Sequence, residues 1–114
     1  MWQYRAEVVR VVDGDTLDLK VDLGFYVYHQ VRVRLKGVDT PEIYGANACD
    51  EGHEASDFVR ELCPVGQKVM IETEKRGKYG RWLADVYIMD EQESVAGSMF
   101  LNAVLISKGW EYLG

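Results

Sequence analysis

Apolar and polar residues alternate with a period of two over residues 16–23, where Leu17, Leu19, Val21 and Leu23 interleave with Thr16, Asp18, Lys20 and Asp22. Side chains of a strand point to opposite faces in turn, so this spacing predicts a half-buried strand with the apolar set inward. "VRVRLK" repeats the pattern, with Val31, Val33 and Leu35 on one face and Arg32, Arg34 and Lys36 on the other. A Val-rich run over residues 4–12 precedes both and reads as a first strand. It is joined to the second by Asp13-Gly14, the strongest short hairpin signal because primed turns need positive φ.

Residues 43–52 form an irregular stretch bearing Gly and Asn. Ala55, Phe58, Val59 and Leu62 then fall at i, i+3, i+4 and i+7, one helical stripe, stopped by Pro64 and Gly66. Residues 67–73 and 82–89 predict two more strands, flanking a basic loop. A second helix is expected from about Ser98 to Lys108, with Ser98 as N-cap and Gly109 as the C′ stop. Three strands, a helix, two strands and a helix fit an α+β class, a five-stranded Greek-key barrel of OB type. The chain, 1–114, reads as a single domain of that kind. Fold alone licenses no activity.

Composition narrows this picture. At 114 residues and 47% hydrophobic content the chain can close a modest core. No apolar run reaches membrane-spanning length, and "MWQYRAEVVR" has no signal-peptide h-region, so the expectation is a soluble protein without membrane contact. A cytoplasmic, phage- or plasmid-encoded protein and a mature secreted form both agree with that. The formal charge of −6 argues against a general nucleic-acid coat protein. It conceals an uneven distribution. Asp39, Glu42, Asp50, Glu51, Glu54, Asp57 and Glu61 face a single base, Arg60, whereas "EKRGKYGR" holds Lys75, Arg76, Lys78 and Arg81. Cys49 and Cys63 are too few and too oddly spaced for a zinc site, and either free thiols or one disulfide would suit them.

Candidate chemistry begins with Asp15, which shares the inward parity of Leu17 and Leu19. It belongs either in the core, where without a partner its carboxylate would cost several kcal/mol or stay protonated, or at the barrel mouth. At the mouth it becomes a candidate ligand for a hard cation. An EF-hand is excluded, because Asp18 stands where that loop needs Gly and Gly24 where it needs Glu. "GVDTPE" adds Asp39 and Glu42; Thr40 as N-cap and Pro41 at N1 would make an ordinary helix start, but no apolar stripe follows. Arg34 and Arg81 taken singly are a strand arginine and a loop arginine. Three carboxylates and two arginines gathered at strand ends suit phosphodiester hydrolysis: a hard divalent ion, a base for water, and guanidiniums on the growing charge.

"VVDGDT", "RLKGVDTPE", "EASDF", "KYGRWLADVYI" and "LN..L...G" stand in the order and approximate spacing of the staphylococcal nuclease (thermonuclease-like) family, which this chain resembles from about Glu7 to Gly109. The resemblance implies the OB-type barrel and a calcium-dependent endonuclease that cleaves DNA and RNA to leave 3′-phosphate ends. It places Asp15, Asp39 and the Thr40 carbonyl as Ca2+ ligands and Glu42 as the general base. Arg34 and Arg81 match the arginines that hold the phosphate and stabilise its five-coordinate transition state, and Lys78 and Tyr79 match positions near the nucleotide's terminal phosphate. Asp13 is expected to support the ligands from behind or to serve the turn, rather than to be a ligand.

Three departures accompany the resemblance. The segment between Thr16 and Arg34 is longer and carries "LGFYVY", whose aromatics are expected to pack in the barrel or hairpin, with stacking on a base as the alternative. The chain ends at Gly114, so the family's third helix and a tyrosine pair flanking the base are missing, with Tyr112 as a partial substitute. The chain is also acidic. Shallow dependence on salt, a preference for single-stranded or frayed strands, and a monomer are expected. His29 and His53 are surface residues in this reading. A catalytically silent OB module that binds nucleic acid or protein would lose the carboxylates and arginines, and a structural calcium domain would need neither arginine.

Overall fold

A computed structural model describes residues 2–40, 50–74, 82–90 and 97–111. Six strands and two helices follow in the order β1 (Trp2–Asp13), β2 (Thr16–Asp22), β3 (Tyr28–Leu35), α1 (Asp50–Leu62), β4 (Lys68–Glu74), β5 (Trp82–Ile88), β6 (Met99–Phe100) and α2 (Leu101–Ser107). The sheet order is β3-β2-β1-β4-β5-β6, and a parallel pairing of β3 with β5 closes the first five strands into a barrel. The expected five-stranded OB-type barrel with two helices is therefore present, with the two-residue β6 as an addition on the edge of β5.

Closure follows from the alternation. Leu17, Leu19, Val33, Leu35, Val69, Ile71, Ala84 and Val86 all face the interior and are shut off from solvent. α1 covers this core through Ala55 and Val59, with Phe58 and Leu62 packed beside them, as the helical stripe requires. Cys63 ends that stripe as a buried free thiol, pushed by burial up to about 12; Cys49 lies outside the described residues. No described helix is long and apolar enough to cross a membrane. His29 and His53 are exposed, as expected.

β1 runs longer than its apolar run suggests and is irregular at two points, between Val8 and Arg10 and between Val11 and Asp13. Such bulges bend a strand and sharpen its twist, which lets one strand pair with both β2 and β4. α2 begins three residues later than expected. Met99 and Phe100 pair with Ile88 and Tyr87, and Phe100 stacks on Tyr87 at 4.7 Å, so strand pairing takes the residues proposed as the first turn. Phe100, not Ser98, occupies the N-cap position, and it makes no side-chain cap bond.

The turn chemistry is also exchanged between hairpins. Gly14 is not among the residues with positive φ, whereas Gly24, Phe25 and Tyr26 of the β2–β3 connection have φ of 84°, 55° and 60°. The Val27 N–H donates to the Gly24 carbonyl at 2.9 Å, closing a primed-type turn whose central residues are both aromatic. Left-handed backbone costs a non-glycine residue about 1–2 kcal/mol. Phe25 and Tyr26 are 97% and 93% exposed, so the expectation that they pack in the barrel or hairpin is not met. Leu23 likewise leaves the inward set at the end of β2 and is half exposed.

Candidate active site at the Asp15 mouth of the barrel

Gly14 is required by proximity, not by dihedral angle. A Cβ there would stand 2.7 Å from the Thr40 Oγ1 and 2.9 Å from its Cβ, closer than real contacts allow. The missing side chain lets the segment after β3 lie directly on the β1–β2 turn. The Asp15 Oδ2 accepts a hydrogen bond from the Thr40 N–H at 3.2 Å, and Oδ1 accepts one from the Thr16 hydroxyl at 2.9 Å. The Leu35 N–H donates to the Asp15 carbonyl at 2.8 Å, so the turn and the end of β3 are fastened at two levels. Asp13 behaves as a turn residue, its Oδ1 accepting the Asp15 N–H at 3.1 Å.

Arg34 and Asp39 sit either side of a tight bend at Lys36-Gly37. Gly37 has φ of 76°, and the Val38 N–H returns to the Leu35 carbonyl at 3.3 Å. The bend brings Arg34 Nη2 to 3.4 Å from Asp39 Oδ1 and 3.8 Å from Asp15 Oδ2. One guanidinium nitrogen thus reaches both candidate ligands. Asp39 is held from a direction its local sequence does not announce: its N–H donates to the Trp110 carbonyl at 3.0 Å, and Val38 forms a bridge with Glu111. Trp110 in turn packs on Phe58 of α1, with ring centroids 6.0 Å apart.

Asn102 also escaped assignment, although it stands in the "LN..L...G" run. It is buried, its Oδ1 accepts the Val86 N–H at 2.9 Å, and its Nδ2 donates to the Lys36 carbonyl at 2.9 Å and the Ala84 carbonyl at 3.1 Å. One amide therefore pins α2, β5 and the bend that follows Arg34. An asparagine within an otherwise apolar helical face was the available signal.

Of the residues expected at the site, Asp15, Arg34, Asp39 and Thr40 come together. Glu42, Lys78, Tyr79, Arg81 and Tyr112 lie outside the described residues. Trp82, which follows Arg81 in sequence, pairs with Val33 next to Arg34. Arg32 pairs with Asp18, with Nε 2.8 Å from Oδ1 and Nη2 3.3 Å from Oδ2, while its side chain stays largely exposed.

Burial drives the Asp15 carboxyl up from 3.8 to about 7; the Asp13 carboxyl reinforces this, while the Thr40 N–H and Thr16 hydroxyl oppose it. Asp15 is only 8% exposed, so its charge has little water around it. Such a site suits a hard divalent cation, which would stabilise the charge that burial disfavours. The carboxylates of Asp15 and Asp39 offer oxygen donors of the kind that Ca2+ or Mg2+ prefers. Among the described residues no group of three or more His, Cys, Asp and Glu side chains gathers. The Thr40 hydroxyl is buried and has no hydrogen-bond partner among the described residues. A cavity of about 270 Å³ opens beside these groups, lined by Val12, Asp13, Thr16, Arg32 and Arg34. A larger one, about 440 Å³, opens at the opposite end of β2 among Tyr4, Val21, Leu23, His29 and Val31, but its lining is mostly apolar and holds no carboxylate or arginine.

The raised Asp15 has a sign that can be checked without any substrate. Between 3.8 and about 7 the folded chain holds a proton that the unfolded chain has released. Folding stability in chelator should therefore fall as pH rises through that window. Asp15→Asn removes the titration and should be more stable than the parent at neutral pH, by roughly 1–3 kcal/mol after allowing for the opposing Arg34 charge. Urea unfolding at a series of pH values compares the two. A parent that gains stability relative to Asp15→Asn as pH rises would mean Arg34 ionises Asp15 in the folded chain.

A closed OB-type barrel with two carboxylates bridged by an arginine at one mouth defines the class: a small barrel domain with a cation- and phosphate-compatible site. The chain belongs to the staphylococcal nuclease family, for the family model described as staphylococcal nuclease homologue matches residues 32–111. It is 40% identical over 112 residues to a thermonuclease of Staphylococcus hyicus, covering 93% of this chain and 63% of that protein. A thermonuclease of Staphylococcus intermedius is 40% identical over 92 residues, covering 77% of this chain and 51% of that protein. A micrococcal nuclease of Shigella flexneri is 31% identical over 112 residues, covering 96% and 59% respectively. The chain thus spans between half and two thirds of the length of these relatives.

Proposed function

We propose that the chain is a calcium-dependent endonuclease that hydrolyses phosphodiester bonds of DNA and RNA and leaves 3′-phosphate ends. The observation that carries this reading is Arg34, poised between the Asp15 and Asp39 carboxylates at the mouth where Thr40 is anchored. Asp15, Asp39 and the Thr40 carbonyl hold the cation, which when bound supplies Lewis-acid stabilisation of a phosphoryl oxygen. With its two carboxylates engaged by such a cation, Arg34 would be available to the phosphate, where its N–H groups match developing charge on the equatorial oxygens. Arg81, which stands between β4 and β5 in the sequence, is assigned the same task. Glu42 accepts a proton from the attacking water as the new P–O bond forms, and the bond to the 5′-oxygen breaks, that oxygen taking a proton from solvent, to which Glu42 then returns the one it accepted. Lys78 and Tyr79 hold the terminal phosphate, and Tyr112 lies against the base. The protein acts as a monomer.

With a net charge of −6, few phosphates are tracked, so binding should depend shallowly on salt. Each neutralised phosphate contributes about −0.9 to the log–log slope on duplex and about −0.7 on single strands. Unpaired strands enter a narrow mouth without distortion of a duplex, so they are the preferred substrate. The test incubates purified chain with single-stranded DNA in calcium and in excess chelator, and reads the product ends by mass spectrometry. Cleavage confined to calcium with 3′-phosphate ends is expected. Equal cleavage in chelator removes the cation from the reading, and absent cleavage with retained oligonucleotide binding would establish the silent module instead.

A further inference from the structure

We propose that the outer face of the β2–β3 hairpin is a track for single-stranded nucleic acid, running from Arg34 at the site to a base-stacking platform at Phe25 and Tyr26. The inference rests on the nuclease reading for the identity of its ligand. It extends the site along a surface that the reaction itself does not use.

The face is defined by register. Thr16 pairs with Arg34, Asp18 with Arg32, Lys20 with Gln30 and Asp22 with Tyr28, and residues of one parity share one side. Opposite this side lie Leu17, Leu19, Val31 and Val33, which fill or border the core. The outward set therefore carries two cations between the site and the tip, Arg32 and Lys20. The Arg32 side chain is 59% exposed and its partner Asp18 only 11%, so the guanidinium, not the carboxylate, meets solvent. Lys20 Nζ lies 4.5 Å over the Tyr28 ring, which leaves that ammonium on the same surface. Asp22, the other acid of the set, has an oxygen occupied by the Gly24 N–H at 2.8 Å.

The tip is built against local preference. Phe25 and Tyr26 both hold left-handed backbone, where glycine or asparagine is usual, and both rings are almost wholly exposed. Leu23, Val27 and Tyr28 add half-exposed apolar surface around them. The inference runs from this outlier to a role, because neither the backbone cost nor the lost burial is returned by packing. Cations along the strands followed by exposed rings at the tip match a phosphate backbone with unpaired bases at one end, and basic grooves with stacking rings hold single strands without sequence preference. From Arg34 to Tyr28 the strand rises about 20 Å, at ~3.3 Å per residue. That accommodates roughly four nucleotides, the low end of what one OB fold covers.

Two readouts test the track apart from the reaction. Binding of a fluorescent oligothymidylate in chelator, read by anisotropy, needs no cleavage. Phe25→Ser and Tyr26→Ser should each weaken it about fivefold or more, the lower bound for loss of one stacked base. Lys20→Gln should reduce the log–log salt slope by about 0.7. In calcium, the double variant Phe25→Ser/Tyr26→Ser should lower kcat/KM for the long oligonucleotide relative to a dinucleotide, which cannot reach from Arg34 to the tip. Circular dichroism confirms that the variants fold. A parent that binds the oligonucleotide but does not cleave it would end the nuclease reading and leave the track standing. Unchanged anisotropy in the variants, or equal loss on long and short substrates, would overturn the track. So would a tip whose rings instead mediate self-association or flotation with lipid vesicles.

Discussion

Arg34→Ala is expected to lower turnover by roughly a hundredfold to a thousandfold while tightening calcium binding. The first effect follows from removal of a donor aimed at charge that grows only in the transition state, worth about 2.7–4 kcal/mol. The second follows from geometry: the guanidinium is 3.4 Å from Asp39 and 3.8 Å from Asp15, so it competes with a cation for the same carboxylates. Opposite signs on the two quantities separate a role in the reaction from general damage to the site. Calorimetry with calcium and steady-state kinetics on single-stranded DNA supply them. If affinity for calcium falls together with turnover, Arg34 serves to position the carboxylates. If KM alone changes, it binds substrate and transition state equally.

Asn102→Ala should cost about 3–5 kcal/mol of folding stability, a large share of what a domain of this size possesses. The side chain is 1% exposed, and its loss strands the Val86 N–H and the Lys36 carbonyl in the interior. Each buried polar group left without a partner costs about 1–3 kcal/mol. The Ala84 carbonyl retains the Lys36 N–H at 2.9 Å and adds little. Urea unfolding gives the number; a loss below about 1 kcal/mol would mean water or a shifted backbone replaces the amide. The same variant, assayed where it is still folded, should lose activity, because the Lys36 carbonyl belongs to the bend between Arg34 and Asp39.

Much of the barrel was legible in residue order. The period-two runs around Leu17–Val21 and Val31–Leu35 and the stripe Ala55–Leu62 depend on near neighbours, and they form as read. The positions of Asp15, just before β2, and of Arg34, near the end of β3, were also legible, because the alternation locates both strands. The misses share a cause. Ser98 satisfies the local rule for an N-cap, yet Met99 and Phe100 are drawn into the sheet by Ile88 and Tyr87. Asp13-Gly14 satisfies the rule for a primed turn, yet the glycine is needed for the approach of Thr40, 26 residues on. The primed turn forms instead at Phe25-Tyr26, which no turn propensity favours.

The sequence by itself determined the periodicities, and through them the strands, the first helix, the inward set and the kinds of side chain available for phosphate and cation chemistry. Tertiary structure alone decided how deeply Asp15 is buried, and hence that burial raises its carboxyl above the usual carboxylate range. It also decided that one nitrogen of Arg34 reaches two carboxylates, that Trp110 holds Asp39, and that Asn102 joins the Lys36 carbonyl across 66 residues. The physical reason is range. Side-chain direction along a strand or helix is set by backbone geometry within a few residues, whereas desolvation and hydrogen-bond partnership depend on which distant segment closure of the barrel brings alongside.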